Sequence, residues 1–358
     1  VEHLVMTMKA SAILPAFFGV AACGLTPEEL PYEVQYVMPS AETAPMSGRG
    51  DKADDPAVWV NPEDVSRSLI LATNKAEGLY IYDLFGRELQ RLPVGPVNNV
   101  DVRGHLAVAS NDGVNALSWF QIDPDEASTP VRHLGDTPVS RVEPYGTCIG
   151  RIGDQILAGV TYKDGALEIW SVEEQPPAIP LTQLSSTVMF ESQLEGCVFD
   201  DSEARIFIGE EGFGIWTLDL GRSQAPPVAV DRIADGNGLV ADVEGLSIYT
   251  GTDGVGYLLA SAQAADRFVI YERQEPFRVV GAISLSANDG EGIDAVTHTD
   301  GIDITSTALP GYPKGVLVVQ DDGNPRSGVD QNFKIVDWRR VDAAIARLRA
   351  PASEPEQR

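Results

Sequence analysis

The chain has 358 residues, and 53 acidic against 26 basic side chains give it a formal net charge of −27 and a pI near 4.4. No basic stripe is available to neutralise phosphates along a nucleic acid, so this balance excludes a nucleic-acid-binding protein. A hydrophobic fraction of 43% is enough for a large core, and 34 glycines with 24 prolines favour a turn-rich, all-β protein.

The N-terminal residues resemble an export signal. From Met8 the chain reads MKASAILPAFFGVAACG, a lysine followed by a short apolar run and small residues around Cys23. VAAC followed by glycine resembles a bacterial lipobox, which predicts a lipidated Cys23 and a membrane tether; the alternative is an ordinary secretory signal with an incidental cysteine. Both interpretations predict an exported protein, periplasmic or extracellular, with residues 1–23 as its signal segment.

Short strands separated by turn signals are expected along most of the remaining chain. Residues 24–50 are proline-rich and contain one strand-like stretch at 32–38, which predicts a linker with a first closing strand. From residue 51 onward, sets such as SLILATN, GLYIYDL and GRELQRL recur, as do RIFIGEE, GIWTLDL and VAVDRIA. One helix is predicted at 337–350.

Six anchor residues recur at a near-constant spacing through this strand-rich part. They are Asp55, Asp101, Tyr145, Glu195, Glu244 and Asp294, at intervals of 46, 44, 50, 49 and 50 residues. A repeat of this length is typical of a four-stranded propeller blade. The spacing therefore predicts an all-β fold, a six-bladed β-propeller at 51–345 with a short C-terminal helix, and a polar tail at 346–358. If each anchor opens the inner strand of its blade, all six meet at one mouth of the central channel.

The predicted mouth is rich in carboxylates. Its expected members are Asp54, Asp55, Asp101, Tyr145, Glu195, Glu211, Asp242, Glu244, Asp294 and Asp300. Carboxylates at this density repel one another unless hard cations lie between them, and Ca²⁺ accepts many oxygen ligands. The sequence contains no GxSxG, P-loop or HExxH motif, and its four histidines are scattered. The residues therefore favour metal-assisted hydrolysis over covalent catalysis.

Several longer motifs resemble the β-propeller phytases of bacteria. They are ADDPAVWV, TNK, GLYIYDLFGREL, NNVDVR, EEGFGIW, DVEGLSIY, YLLASAQ, FVIYER, TDGID and QNFKIVDW, and they extend over about residues 51–338. The resemblance implies a six-bladed, calcium-dependent alkaline phosphatase. Such an enzyme releases phosphate from myo-inositol hexakisphosphate (phytate), usually bound as its calcium complex. It does so by direct attack of a calcium-bound water, and no phosphoenzyme forms.

The resemblance also implies roles for single residues. Asp55, the carbonyls of Pro56 and Val100, and Asp294 would match a tight calcium site between the first and last blades. The residues that would match the mouth, where weaker calcium ions bridge protein and substrate phosphate, are Asp54, Tyr145, Glu195, Glu211, Asp242, Glu244 and Asp300. Lys75 and Lys163 would match the side chains that contact phosphate. A monomer is expected, because a closed propeller has no unpaired sheet edge.

Two positions depart from the family pattern. Ala76 follows Lys75 where a second lysine is common, and Asp112 stands where better-known members have an arginine. Two positive groups are thus missing near the substrate, which weakens the expectation of a second phosphate subsite. Two other functions stay open: a calcium-dependent propeller lactonase or phosphotriesterase-like hydrolase, and a non-catalytic binding propeller.

Two further cysteines follow the third and fourth anchors closely. Cys148 comes three residues after Tyr145, and Cys197 comes two residues after Glu195. An exported protein can form a disulfide between them. The prediction nevertheless favours two buried free thiols, because cysteine packs well as a small core side chain.

Overall fold

The computed structural model describes residues 30–48, 50–123, 125–173, 179, 181–184, 187–222, 225–252, 254–323 and 331–350. The predicted signal segment, Cys23 and the end of the predicted tail lie outside these residues. Within them, two short strands come first, β1 (Gln35–Val37) and β2 (Ala41–Glu42). The described strands, these two included, form six sheets, which confirms the six-bladed propeller.

In each blade the strands follow one another from the channel to the edge. Blade 1 contains β3 (Ala53–Trp59), β4 (Leu69–Asn74), β5 (Gly78–Asp83) and β6 (Glu88–Leu92). Blade 2 contains β7 (Val100–Arg103), β8 (Leu106–Asn111), β9 (Ala116–Ile122) and β10 (Val131–Pro138). Blade 3 contains β11 (Pro144–Ile152), β12 (Gln155–Tyr162) and β13 (Ala166–Val172), with β14 (Leu181–Gln183) and β15 (Val188–Met189) both paired to β13.

The other three blades repeat this order. Blade 4 contains β16 (Leu194–Asp200), β17 (Arg205–Glu210), β18 (Gly214–Asp219) and β19 (Val228–Arg232). Blade 5 contains β20 (Val243–Thr250), β21 (Gly256–Ala262), β22 (Arg267–Glu272) and β23 (Val279–Leu285). Blade 6 contains β24 (Ile302–Thr305), β25 (Val316–Asp321) and β26 (Asn332–Asp337). Single 3-10 turns occur at Val65–Arg67, Asp201–Glu203, Ile233–Asp235 and Gln263–Ala265.

The hydrophobic core lies between successive blades. Neighbouring residues of a strand point to opposite faces of its sheet, so each blade contributes to two interfaces. In β9, for example, Phe120 packs with Trp59 towards blade 1, whereas Trp119 packs with Tyr162 towards blade 3. This alternation explains why the strands are apolar on both faces while the strand ends are free to carry polar groups.

The N-terminal segment completes the outer part of blades 5 and 6. Strand β2 pairs with β26, so that Ala41 faces Ile335, and β1 runs parallel to β23. The predicted helix is confirmed as α1 (Trp338–Leu348), and it continues three residues past the predicted domain boundary at 345. Its apolar face packs against β1 and β23. Among the described residues, no helix has both the length and the hydropathy needed to cross a bilayer.

Candidate active site at the channel mouth

Equivalent residues at the start of the inner strands form a ring. In blades 1, 3, 4 and 5 the pairing of the first two strands skips two residues near its start, which is a β-bulge. We call the first residue of each bulge, together with the equivalent residues of blades 2 and 6, the first ring. Its members, in order from blade 1 to blade 6, are Asp54, Asn98, Tyr145, Glu195, Glu244 and Asp300.

A repeated hydrogen-bond pattern supports this equivalence. In blade 5 the Gly245 amide donates to Ser261 Oγ at 3.0 Å, and that hydroxyl donates to the Asp300 carbonyl of blade 6 at 3.0 Å. In blade 2 the Asn99 amide donates to Ser110 Oγ at 3.0 Å, and that hydroxyl donates to the carbonyl of the first-ring residue of blade 3. These bonds hold Asp300 and Tyr145 against the blade before each of them.

Glycine after a ring member allows the inner strands to approach closely. A Cβ atom on Gly146 would lie 1.9 Å from the Glu195 carbonyl oxygen, and one on Gly196 would lie 2.1 Å from the Glu244 carbonyl oxygen. Both distances are far shorter than any van der Waals contact. The recurring YG and EG pairs of the sequence thus have a steric cause, and they bring the ring side chains together.

A second ring consists of the residue that directly follows the second strand of each blade. Its members are Lys75, Asp112, Lys163, Glu211, Gln263 and Asp322. Together with Asp51, Gln193, Asp242 and His298, most members of the two rings line a mouth cavity of about 360 Å³. The acids of this mouth come mainly from blades 4 to 6, whereas Lys75 and Lys163 come from blades 1 and 3. Acidic and basic side chains therefore meet at the mouth.

Three of the predicted acids form a compact carboxylate cluster. One oxygen each of Glu195, Glu211 and Glu244 lies within 4.8 Å of the others. Burial and the charges of neighbouring acids raise the pKa of Glu244 to about 7 and that of Asp300 to about 8. Burial first, and then the Glu244 charge, raise the pKa of Glu195 well above its usual range. Such mutual repulsion is the electrostatic signature of a site that gains from a cation.

The donor set of this cluster fits a hard divalent cation. Glu195 is only 3% exposed, and its Oε2 atom has no hydrogen-bond partner. A buried carboxylate oxygen without a partner is costly, and a bound cation satisfies it. The first-ring member Asp54 is fully buried close by and contributes to the charge felt by Glu195.

The predicted phosphate-binding lysines lie close to acids of the mouth. Lys75 Nζ is 3.0 Å from Asp54 Oδ1, 3.1 Å from Asp300 Oδ2 and 3.2 Å from Asp51 Oδ2. Burial lowers the pKa of Lys75, but the charges of these carboxylates outweigh it, and the net pKa is raised. Lys163 Nζ lies 4.5 Å from the ring centroid of Tyr145, within the range of a cation–π contact. Both ammonium groups thus lie beside first-ring residues.

Three of the six anchors, Asp55, Asp101 and Asp294, do not occupy the first ring, so the expectation that all six meet at the mouth is wrong. Strand β24 begins at Ile302, and Asp300 occupies the first-ring position of blade 6 because the loop before β24 displaces Asp294 from it. Asp101 lies inside β7, where its Oδ2 accepts a hydrogen bond of 2.8 Å from the Ile149 amide of the next blade. Asp101 therefore links two blades and faces the channel below the mouth.

The residues predicted for a tight calcium site fall into two groups. Asp55 Oδ2 accepts a hydrogen bond of 3.0 Å from the Val100 amide, and both residues line the channel cavity together with Pro56. Asp294 Oδ1 instead lies 2.7 Å from Lys334 Nζ. The structure thus joins Asp294 to the outer strands of blade 6.

The prediction of two free thiols is wrong, because Cys148 and Cys197 form a disulfide. They lie on the neighbouring inner strands β11 and β16, directly below the bulges that present Tyr145 and Glu195. Their Cα atoms are 5.7 Å apart, which is within the range for a disulfide. Sequence spacing alone could not show that these strands approach so closely.

We expect the double substitution Cys148→Ala/Cys197→Ala to lower the free energy of unfolding by about 2–5 kcal/mol, because the bond closes a long loop in the unfolded chain. Urea unfolding of the wild type and the variant measures the difference. The same variant with and without reductant serves as the control. Two or more reactive thiols per unfolded, unreduced wild-type chain would contradict the disulfide.

Sequence reasoning missed several residues of the mouth. Gln193 Nε2 donates a hydrogen bond to Glu211 Oε1, and Gln263 Nε2 donates one to Asp300 Oδ1. His298 also lines the cavity. Only their position relative to the strands identifies these residues: Gln193 directly precedes an inner strand, and Gln263 directly follows a second strand.

Fold and site together define a class: six-bladed β-propellers whose mouth combines a carboxylate cluster with lysine donors. The chain belongs to the Phytase family, whose sequence profile matches residues 3–350. It is 36% identical over 328 residues to the 3-phytase of Bacillus subtilis (strain 168), a match that covers 86% of this chain and 85% of that protein.

Two solved structures share the fold at low sequence identity. The RRP9 WD40 repeats match with a TM-score of 0.51 and 14% identity over 85% of this chain and 99% of theirs. U3-55K matches with a TM-score of 0.51 and 13% identity over 84% of this chain and 99% of its own. At these identities the likeness concerns the propeller alone.

Proposed function

We propose that the protein is a calcium-dependent phosphomonoester hydrolase that releases phosphate from phytate. Membership of the Phytase family and the similarity to a 3-phytase support this activity. The observation that carries the proposal is the cluster of Glu195, Glu211 and Glu244, because oxygen ligands at this density suit Ca²⁺.

The roles of the acids follow from their positions. Glu195, Glu211 and Glu244 would hold calcium ions, with the other mouth acids at the edge of the cluster: Asp54, Asp242 and Asp300. Bound there, Ca²⁺ would lower the pKa of a water ligand and polarise a phosphoryl oxygen. The chain itself keeps these carboxylates oriented, since Gln193 donates to Glu211 and the bulges fix the other two.

A second calcium site is proposed at the channel. Asp55 would bind the ion together with the carbonyl oxygens of Pro56 and Val100, which line the same cavity. Burial raises the pKa of Asp55 well above its usual range, and the charge of Asp54 adds to the effect. Asp294 stays a proposed calcium ligand, because its Oδ2 is buried without a hydrogen-bond partner, although its Oδ1 pairs with Lys334.

The lysine side of the mouth would bind the substrate. Phytate is a polyanion, and a chain with a net charge of −27 repels it unless local cations offset that charge. Lys75 and Lys163 supply fixed positive charge, and the Tyr145 hydroxyl is a hydrogen-bond donor at neutral pH because burial raises its pKa. Phosphate groups on this side would orient the one that is cleaved at the carboxylate cluster.

A substrate panel tests the proposal and its two alternatives. Calcium-dependent phosphate release is measured from phytate, alongside turnover of a lactone and of a phosphotriester. We expect phytate to be hydrolysed with calcium, and we expect the activity to be lost after exhaustive treatment with EGTA and restored by adding calcium back. Faster turnover of the lactone or the triester would favour the alternative hydrolases, and no turnover at all would favour a non-catalytic propeller.

Export of the protein is also part of the proposal. The disulfide supports it, because such bonds persist mainly outside the reducing cytoplasm. Lipidation of Cys23 and the resulting membrane tether rest on the lipobox-like sequence. Labelling of expressing bacteria with a fatty-acid probe is expected to mark the wild type and to spare a Cys23→Ser variant.

A further inference from the structure

Glu210 is a buried carboxylate to which the proposed function gives no role. The motif RIFIGEE ends in Glu210 and Glu211, and of these two the second lines the mouth cavity. Glu210 is 1% exposed and lines a separate cavity of about 320 Å³ together with Glu191 and Trp216. Neighbouring side chains of a strand point to opposite faces, so the two carboxylates contact different parts of the chain.

The Glu210 carboxylate holds the segment that leads into the inner strand of blade 4. We call residues 190–193 the entry segment. Glu210 Oε1 accepts hydrogen bonds from the Glu191 amide at 2.9 Å, the Ser192 amide at 2.7 Å and the Ser192 hydroxyl at 3.0 Å. Its Oε2 accepts one of 2.7 Å from Trp216 Nε1. Both oxygens are thus used as acceptors, whereas a glutamine side chain has one acceptor oxygen.

The entry segment connects this carboxylate to the carboxylate cluster. Its last residue, Gln193, donates from Nε2 to Glu211 Oε1, and its carbonyl oxygen accepts from the Glu211 amide at 3.0 Å. At its other end the Phe190 amide donates to the Gly165 carbonyl oxygen at 2.8 Å. Glu210 therefore fixes the middle of a segment whose end contacts a cluster acid.

The same device occurs in other blades without a contact to the carboxylate cluster. In blade 2 the last residue of the second strand, Asn111, donates from Nδ2 to the Val94 carbonyl oxygen at 3.1 Å. In blade 6 Asp321 Oδ1 accepts from the Thr297 amide at 3.0 Å. In all three blades a buried polar side chain thus binds the segment before the inner strand. In blade 4 the bound segment also orients an acid of the cluster.

We propose that Glu210 is a positioning residue of the mouth: by holding the entry segment it places Gln193, and Gln193 in turn orients Glu211 for calcium. This inference rests on the proposed function, of which calcium binding at the cluster is a part. Groups that orient a metal ligand through a hydrogen bond typically change metal affinity or activity by about 10- to 100-fold when they are lost.

A double-mutant cycle of Glu210→Gln and Gln193→Ala tests the route. Calcium is removed with EGTA, and equilibrium dialysis then gives the Kd of the calcium sites that Glu195→Gln weakens. We expect Glu210→Gln to raise this Kd by about tenfold or more. The double variant should bind calcium no more weakly than Gln193→Ala, because two residues that act in one chain of contacts are not additive.

A second measurement is made without calcium. Hydrogen exchange of the Glu191 and Ser192 amides, followed by mass spectrometry of the calcium-free protein, should be faster in Glu210→Gln than in the wild type. The matched control is Asn111→Ala, which removes the corresponding bond in blade 2. It should leave both the calcium Kd and the exchange of the entry segment unchanged.

Thermal unfolding identifies the folded variants. If Glu210→Gln does not fold, Ser192→Ala decides the question, since it removes one of the three bonds at a half-buried residue and should raise the same Kd by a smaller factor. An unchanged Kd in the folded variant overturns the inference. Additive effects of Glu210→Gln and Gln193→Ala, or an equal rise of Kd in Asn111→Ala, would also overturn it. A wild type that binds calcium at these sites but releases no phosphate from phytate would refute the proposed function, while a raised Kd in Glu210→Gln would still support the positioning role.

Discussion

Replacing Glu195 with glutamine is expected to lower kcat for phytate by about 10²- to 10³-fold, as the loss of one preorganised electrostatic group typically does. Glutamine keeps the shape of the side chain but removes its charge. Glu195 Oε2 is a buried oxygen without a hydrogen-bond partner, and the residue belongs to the carboxylate cluster. The substitution therefore removes a cation ligand at the centre of the mouth. Steady-state kinetics at saturating calcium measure the effect.

The control for this substitution is Glu63→Gln. Glu63 is exposed in the loop between β3 and β4, so its charge lies outside the mouth. The kcat of the Glu63→Gln variant should therefore match that of the wild type. A Glu195→Gln variant with more than about a tenth of wild-type kcat, and an unchanged melting temperature, would show that the carboxylate takes no part in the reaction.

Replacing Lys334 with methionine is expected to lower the free energy of unfolding by about 3–5 kcal/mol. Removing one partner of a buried ion pair leaves the other as an uncompensated buried charge. Lys334 is completely buried, and its Nζ lies 2.7 Å from Glu42 Oε2, 2.7 Å from Asp294 Oδ1 and 2.9 Å from Asp321 Oδ2. One ammonium group thus joins the N-terminal strand to the last blade. Urea unfolding measures the change.

Lys314→Met is the matched control, because Lys314 is 55% exposed and pairs with a single acid, Asp342. A surface pair of this kind contributes at most about 1 kcal/mol. Adding Asp294→Asn to the Lys334→Met variant should restore part of the lost free energy of unfolding, since it removes one uncompensated carboxylate charge. Equal stabilities for the Lys334 and Lys314 variants would mean that the buried ammonium does not secure the ring closure.

Much of the fold could be predicted from the sequence because every blade has the same packing requirement. Every blade must cover two apolar faces, so its strands, turns and total length recur, and the count of six follows from the spacing. The limits of that reasoning appear at Asp294. Residue spacing does not reveal how many residues a loop consumes before a strand begins, and the loop at 286–301 moved the true ring position to Asp300.

Residues of the site could be predicted where a sequence motif lies at the start of an inner strand. Glu195 and Glu244 stand in EG pairs whose glycine admits the neighbouring strand, and both occupy the first ring. Asn98 and Gln263 could not be found in this way, because an amide at a strand end is usually an ordinary turn residue. The Cys148–Cys197 bond depends on the distance between two blades, which strand spacing along the chain does not contain.

Local positive charge at the mouth would explain how a strongly acidic chain binds a polyanionic substrate. Under the proposed function, the carboxylates of blades 4 to 6 would bind cations, and Lys75 and Lys163 would add positive charge beside them. A net charge of −27 is spread over the whole chain, whereas the substrate meets only the local field. Because Ala76 and Asp112 carry no basic side chain, we expect substrate binding to depend more on those cations.

Calcium binding and hydrolysis measured in one titration test the central claim most directly. Calcium is first removed with EGTA, and binding is then followed by equilibrium dialysis while phosphate release from phytate is assayed at each free calcium concentration. We expect activity to rise in step with the occupancy of sites that Glu195→Gln weakens. Undiminished phosphate release from the fully chelated wild type would contradict a calcium-dependent mouth.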